Sequence, residues 1–334
     1  MNSRSIFAMA LCLCGLTLAL GQPAEGQATL PRDMTVAEPI PGVIAAGATW
    51  QQAWQGFDNA DGILGTPDGN VLFAQEQPST IRKLDQNDFD SAYVKDTHGA
   101  GSVGMDSAGR LIAVQRTCTD PGRAPLPCDE PTKVSIIYPE GERRVLADNV
   151  EGRPLARLND LVVATTGTVF FSGGTPYYIP HGGQAIGIDA SVRSNGITLS
   201  PDERTLYATN REVVVAFDVR PDGTVGNRRD FAQLQDGNGD GLAVDGTGRL
   251  YVATQRQGIQ VFTPGGDYIG TIQTPRNVAS LAFAGPDKRM LYITTGGALA
   301  PNGQEFMPAE GIRNNAKTIY KIPMLAQGYT GRPK

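Results

Sequence analysis

The sequence predicts an all-β protein with the fold of a six-bladed β-propeller, and three observations support this prediction. A segment of two short apolar strands around a tight turn recurs six times in the 334 residues. Successive copies are separated by 40, 58, 37, 44 and 41 residues, which is typical of propeller blades. The chain contains 41 Gly and 23 Pro, residues that favour turns, and amphipathic helical periodicity is almost absent. The separations are counted between the first apolar residues of the second strands, Val71, Leu111, Val169, Leu206, Leu250 and Leu291.

The remaining strands of each blade are expected to follow these pairs. Third strands are predicted near Ile81, Val134, Val213, Ile259 and Ile319, and a fourth strand near Tyr268. The segment from Ala45 to Phe57, with Trp50 and Trp54, is expected to complete the last blade. The even repeat favours a single domain over residues 27–334. The segment from Gly173 to Asp189 is expected to be an inserted loop, which either carries substrate contacts or is a solvated connection.

The first 26 residues are predicted to be an export signal. Arg4 is followed by an apolar run from Ile6 to Leu20 and then by small residues, so the mature protein is expected to be secreted or periplasmic. An uncleaved membrane anchor is the alternative. After cleavage, Cys118 and Cys128 remain, and in an oxidising compartment they are expected to form a disulfide. A metal-binding or nucleophilic cysteine is the alternative.

The charge distribution limits the classes of molecule that the protein is expected to bind. The net charge is −5 and no basic run interleaved with aromatic residues is present, so a nucleic acid is not an expected partner. Once the signal is removed, no membrane association is expected. A closed propeller exposes few strand edges, so we expect a monomer that acts on a small molecule.

The residues that open the first strands of the blades suggest a metal site. These residues are Asp61, Gly101, Asn159, Asn195, Asp240 and Ser280. Equivalent positions of different blades point towards one axis, so the two carboxylates and two carboxamides should converge at one mouth of the tunnel. Oxygen ligands favour Ca²⁺, with Mg²⁺ or Mn²⁺ as alternatives, and Zn²⁺ only if His98 or His181 reaches the cluster. The competing interpretation of each Asp-Gly or Asn-Gly pair is a turn.

The same segments carry a family resemblance. Arg157-Leu-Asn-Asp-Leu-Val-Val, Ser194-Asn-Gly-Ile-Thr-Leu-Ser-Pro-Asp and Asp240-Gly-Leu-Ala-Val-Asp resemble motifs of the gluconolactonase, regucalcin and luciferin-regenerating-enzyme family of six-bladed propellers. Leu281-Ala-Phe-Ala-Gly-Pro-Asp continues the likeness. It is strong from about residue 150 to 296 and looser from 55 to 115. Each motif is weak alone, but their order and spacing are specific.

The resemblance implies a lactonase with one divalent metal at the tunnel mouth. It implies that Asn195 and Asp240 are metal ligands, that Asn159 lies next to metal and substrate, and that Arg157 contacts the substrate. Asp61 stands where the family has a Glu, and Asp is one methylene shorter. Ser280 replaces an Asn that many members carry.

The expected reaction is hydrolysis of a lactone, most simply a sugar lactone such as gluconolactone. The metal would polarise the carbonyl, and Asn159 or Arg157 would assist the developing oxyanion. Asp240, or a histidine such as His98, would take the proton of the attacking water. His181 and Tyr177 are expected to contact the substrate from the inserted loop.

Three other interpretations of the function remain open at this point. The aromatic pair Tyr177 and Tyr178 would also suit an aryl or hydrophobic ester, as in a related propeller aryl esterase. A non-catalytic propeller that binds a ligand or partner is the second reading, because this fold serves many functions. A structural calcium that only holds the tunnel together is the third. No Gly-x-Ser-x-Gly nucleophile elbow is present, so a serine-esterase mechanism has little support.

Overall fold

The computed structural model describes Val36, residues 38–116 and residues 130–334. It confirms the predicted all-β six-bladed propeller. The only helical element in those ranges is a 3₁₀ turn at Glu140–Glu142, and none of their helices is long and apolar enough to cross a bilayer. The export signal at residues 1–26 and the Cys118–Cys128 disulfide lie outside the described residues.

The strands, in chain order, are β1 (Gln51–Gly56), β2 (Ile63–Gly65), β3 (Val71–Gln75), β4 (Thr80–Leu84), β5 (Asp90–Lys95), β6 (Ala100–Met105), β7 (Leu111–Gln115), β8 (Lys133–Tyr138), β9 (Arg144–Ala147), β10 (Asn149–Val150), β11 (Arg153–Pro154), β12 (Leu161–Val163), β13 (Val169–Ser172), β14 (Pro176–Ile179), β15 (Ile186–Gly187), β16 (Ile197–Leu199), β17 (Thr205–Asn210), β18 (Val213–Val219), β19 (Val225–Gln233), β20 (Leu242–Val244), β21 (Leu250–Ala253), β22 (Gly258–Phe262), β23 (Tyr268–Gln273), β24 (Val278–Ala284), β25 (Met290–Gly296) and β26 (Lys317–Pro323).

Each blade is a four-stranded antiparallel sheet. Blades 1 to 5 use consecutive strands, in the orders β2–β5, β6–β9, β12–β15, β16–β19 and β20–β23. Blade 6 has the order β24-β25-β26-β1, so its outer strand comes from the start of the described chain. The register pairs Gln51 with Lys321, which confirms that the segment containing Trp54 completes the last blade. The ring is thus closed by hydrogen bonds between distant parts of the chain.

The core lies between the blades. All five residues of β3 are buried, and successive side chains of a strand point to opposite faces. Phe73 therefore packs towards blade 6, with Tyr292, whereas Leu72 packs towards blade 2, with Val103. This arrangement explains why the second strands are continuous apolar runs.

One expectation about the loops was wrong. Gly173 to Asp189 is not an insertion, because it contains β14 and β15, the two outer strands of blade 3. β14 pairs with β13 from Val169 opposite Ile179 to Ser172 opposite Pro176. The segment therefore runs along the side of the propeller.

Candidate functional site

Four polar residues from four blades line one cavity of about 240 Å³ at the mouth of the tunnel. They are Asp61, Asn159, Asn195 and Asp240, and Arg157 lines the same cavity. Each of the four lies two residues before the inner strand of its blade. The convergence expected from the repeat is therefore present in the structure.

The backbone explains why these positions are equivalent. In blades 1, 3 and 5 the residue donates its own N–H to a carbonyl near the end of the second strand. These hydrogen bonds are Asp61 to Ala74 (3.0 Å), Asn159 to Ser172 (2.8 Å) and Asp240 to Ala253 (2.7 Å). In blade 4, Asn195 donates instead to the hydroxyl of Thr209, at 3.1 Å.

The glycine after three of these residues is required by close packing at the axis. A Cβ at Gly196 would overlap the carbonyl of Asp240, and a Cβ at Gly62 would overlap Ser102. At Gly241 it would lie 2.8 Å from the Cα of Ser280. None of the three glycines has a positive φ. The turn interpretation of these pairs is therefore wrong, because inner strands of neighbouring blades approach too closely for a side chain.

Blade 2 contributes to the site through Arg116, the residue directly after its second strand, β7. Its equivalent residue is Gly101, and the guanidinium of Arg116 occupies the space where a Cβ of Gly101 would lie. Arg116 is buried, and its Nη1 lies 3.0 Å from both Oδ2 of Asp61 and Oε2 of Glu76. Its Nε donates to the carbonyl of Leu158 at 2.7 Å. Sequence reasoning missed Arg116, and the glycine at the blade-equivalent position was the one signal that could have revealed it.

Glu76 is the second residue that sequence reasoning missed. It is buried, and its carboxylate accepts hydrogen bonds from both terminal nitrogens of Arg157. Nη1 donates to Oε1 and Nη2 donates to Oε2, each at 2.9 Å. Bidentate pairs of this kind fix the guanidinium plane as well as its position. Arg157 is thus held at the cavity wall with about two fifths of its side chain exposed (38%).

Asp240 has unusual electrostatics. Burial raises the pKa of Asp240 to about 7, and the negative charge of Asp61 adds to the rise. A hydrogen bond from Nε2 of Gln255 to Oδ2 of Asp240, at 3.0 Å, acts in the opposite direction, as does the positive charge of Lys317. Two carboxylates that repel each other at one cavity would be stabilised by a cation placed between them.

The donor set of the cavity fits a hard divalent cation. Asp61 and Asp240 offer carboxylate oxygens, and Asn159 and Asn195 offer amide oxygens. Oxygen-only sets suit Ca²⁺, Mg²⁺ or Mn²⁺ better than Zn²⁺. In the described ranges, no group of three or more His, Cys, Asp or Glu side chains could hold a metal, so a site here depends on the two asparagines.

Three residues expected at the site do not line this cavity. His98 is half exposed, and its Nδ1 lies 2.9 Å from Oε2 of Glu130. His181 lies against Gly167, in the turn between β12 and β13, at the face opposite Asn159. The ring of Tyr177 stacks on the ring of Phe171, with their centroids 5.1 Å apart, in the packing between blades. β14, which contains Tyr177, runs from the mouth towards the opposite face, and His181 lies in the turn that follows it, so neither residue reaches the cavity as the sequence suggested.

The segment before β26 forms the rest of the wall. It brings Arg313, Asn314 and Asn315 to the cavity, and Lys317 lines the cavity beside them. The first residue of β26, Lys317, is half-buried, whereas Arg313 is exposed. Nothing in the repeat pattern singled out these residues, because they lie in the connection between two strands of blade 6 or, for Lys317, directly after it.

Known structures share this fold. A gluconolactonase of Xanthomonas campestris superposes with a TM-score of 0.68 at 20% identity, over 87% of this chain and 94% of that protein. A calcium-binding regucalcin of Agrobacterium tumefaciens superposes with a TM-score of 0.61 at 15% identity, over 83% of this chain and 95% of the other. At these identities the likeness establishes the fold alone.

Sequence comparisons identify the family. The chain is 28% identical over 210 residues to the pentonolactonase XacC of Haloferax volcanii, which covers 58% of this chain and 70% of that protein. The family model described as the SMP-30/Gluconolactonase/LRE-like region matches residues 60–297, more than half of the chain. The matched range includes the four candidate metal ligands of the cavity together with Arg116 and Arg157. The protein therefore belongs to the SMP-30/gluconolactonase/LRE-like family.

Proposed function

We propose that this protein is a metal-dependent lactonase that opens a small sugar-type lactone. The observation that carries this proposal is the convergence of Asp61, Asn159, Asn195 and Asp240 at one cavity. The cavity, at about 240 Å³, is smaller than pockets for drug-sized ligands and suits a monosaccharide-sized molecule. The name of the Haloferax volcanii relative, a pentonolactonase, points to the same class of substrate.

The four oxygen-bearing residues would hold one divalent cation, with Ca²⁺ preferred on the chemistry of the donors. When bound, such a cation supplies Lewis-acid polarisation of a carbonyl. The regucalcin neighbour, named as calcium-binding, is consistent with this preference.

The side chains themselves perform the remaining steps. Arg157, fixed by Glu76, orients the substrate at the wall, and the amide N–H of Asn159 stabilises the oxyanion that forms when water attacks the acyl carbon. The carboxylate of Asp240 accepts a proton from that water. The bond between the acyl carbon and the ring oxygen then breaks, and the proton passes to the ring oxygen to give a hydroxy acid.

The positions of Tyr177 and Tyr178 argue against an aryl substrate. Tyr177 and Tyr178 stack on Phe171 and Phe170 within the blade packing, so neither forms a platform at the cavity. The residues that line the cavity are polar apart from Ala279. An aryl esterase is therefore not the activity that this site favours.

The test is hydrolysis of a δ-lactone of a sugar acid, an aliphatic γ-lactone and an aryl ester by chelated protein, before and after Ca²⁺, Mg²⁺, Mn²⁺ or Zn²⁺ is restored. We expect turnover of the sugar lactone that is lost on chelation and restored by one hard cation. Asp240→Asn should lower kcat/KM by about 100-fold or more. The matched control is Asp222→Asn, a change in an exposed turn outside the cavity, which should match the wild type.

Two outcomes would contradict the proposal. Full activity after chelation would rule out the metal-dependent mechanism. Absence of turnover with every metal, combined with a rise in melting temperature on adding Ca²⁺, would favour a structural ion in a binding propeller.

We further propose that the protein is exported, from the charged start and apolar run between Arg4 and Leu20. N-terminal sequencing of the protein recovered from cell fractions tests this. A mature N-terminus near residue 27 outside the cytoplasm would support export, and an intact Met1 in the cytoplasm would contradict it.

A further inference from the structure

The cationic residues of the cavity wall fall into two groups. Arg116 is paired with Asp61 and Glu76, and Arg157 is paired with Glu76. Their charges are therefore already opposed by carboxylates within the wall. Lys317 also lines the cavity, but among the described residues its ammonium has no hydrogen bond or ion pair. The same holds for the guanidinium of Arg313.

The position of Lys317 leaves its ammonium available to bind a ligand. Its backbone pairs with Gly296 of β25 and Gly56 of β1, so neither neighbouring strand places a side chain beside it. Its charge acts on Asp240, which puts the ammonium within electrostatic reach of the candidate metal site. A half-buried cation without a partner carries a desolvation cost, which an anionic ligand would offset.

The charge balance points to an anionic substrate. A divalent cation at Asp61 and Asp240 would neutralise those two carboxylates, which leaves Glu76 alone to oppose the charges of Arg116 and Arg157. The positive charges of Lys317 and Arg313 then remain available at the same cavity. Asn315 lines the wall beside them and offers an amide N–H to an oxygen ligand.

We propose that Lys317 and Arg313 form a carboxylate subsite and that the substrate is a lactone bearing a free carboxylate, of the aldaric or uronic acid class. This inference rests on the proposed lactonase function. A carboxylate suits the site better than a bulkier phosphate because the cavity is only about 240 Å³. The same volume would also have to accommodate the lactone ring and the cation. The ring would lie at the metal donors, and its carboxylate would face the wall formed before β26.

The experiment compares two lactones that differ only in their last carbon, the 1,4-lactone of glucaric acid and the 1,4-lactone of gluconic acid, with Ca²⁺-loaded protein. One charge-assisted contact should make kcat/KM about tenfold higher for the carboxylated lactone. Lys317→Met should remove most of that preference, chiefly through KM. Lys95→Met, a change at an exposed lysine outside the cavity, should preserve it.

A binding measurement separates this inference from the lactonase proposal. Calorimetry with glucarate and gluconate, the ring-opened acids, should show tighter binding of glucarate that Lys317→Met abolishes, whether or not turnover occurs. Turnover without any preference, or a preference that survives Lys317→Met, would overturn the carboxylate subsite alone. Preference for a phosphorylated lactone over both would overturn the carboxylate class. Glucarate selectivity without turnover of any lactone would support the subsite and overturn the lactonase.

Discussion

The ammonium of Lys334 lies 2.6 Å from Oδ2 of Asp160, inside the tunnel and next to the backbone of the candidate site. Lys334 also donates to the carbonyls of Leu161 (3.0 Å) and Ile197 (2.8 Å). Asp160 directly follows Asn159, and its Oδ1 accepts the hydroxyl of Ser102 at 2.9 Å. The pair thus ties together inner strands of blades 2, 3 and 4 at the level where the site residues begin.

Removing the ammonium of this pair should destabilise the protein. Lys334→Met leaves the buried carboxylate of Asp160 without its cation, which costs about 3–5 kcal/mol in comparable buried pairs. Chemical denaturation measures the loss in free energy of unfolding, and Lys334→Met combined with Asp160→Asn should recover part of it. The exposed change Lys95→Met is the control. An unchanged free energy of unfolding in Lys334→Met would show that the pair contributes nothing.

The cation affinity should depend on pH through Asp240. Since its pKa is raised from 3.8 to about 7, the folded protein holds a proton at pH 6 that the unfolded chain has already released. The free energy of unfolding of the metal-free protein should therefore fall as the pH rises from about 4 to 7. A cation needs the ionised carboxylate, so Ca²⁺ should bind about tenfold more weakly at pH 6 than at pH 8.

Calorimetry of Ca²⁺ binding at pH 6, in buffers of different ionisation enthalpy, measures the proton released. We expect about one proton at pH 6 and little at pH 8, and Asp240→Asn should abolish the difference. A binding enthalpy that is independent of the buffer at pH 6 would contradict the assignment.

A single methyl group at Gly101 should disturb the site from outside the cavity. The Cβ of Gly101→Ala overlaps the guanidinium of Arg116, so the arginine must move away from Asp61 and Glu76. We expect about 1–3 kcal/mol of destabilisation and a loss of lactonase activity. Gly141→Ala, where no atom lies within 4 Å of the added Cβ, is the matched control. Equal stability and activity in the two variants would show that Arg116 is not held as described.

His98→Ala tests the catalytic role that the sequence suggested. Because this imidazole is half exposed and does not line the cavity, the free energy of unfolding should change by about 0.5 kcal/mol or less. We also expect kcat/KM of the sugar lactone to stay at the level of the wild type. A large fall in kcat with unchanged KM would show that His98 reaches the substrate.

Much of the fold was predictable because each blade repeats one local pattern. The spacing of Val71, Leu111 and their equivalents identified all six blades, and Trp54 marked the strand that closes the ring. The same equivalence brought Asp61, Asn159, Asn195 and Asp240 together, since a closed ring sends equivalent positions to one mouth. Their roles as metal ligands and the roles of Arg157 and Asn159 towards substrate stay predictions.

The sequence by itself determined the number of blades, their closure and which positions meet at the tunnel mouth, because these follow from a local period. Tertiary structure alone decided what surrounds those positions. Arg116 and Glu76 reach the site with long side chains from second-strand ends, and Lys317 begins β26 directly after an irregular connection. Contacts of this kind depend on how blades pack against each other. No period along the chain encodes them, so the charge balance of the cavity emerges only from the folded ring.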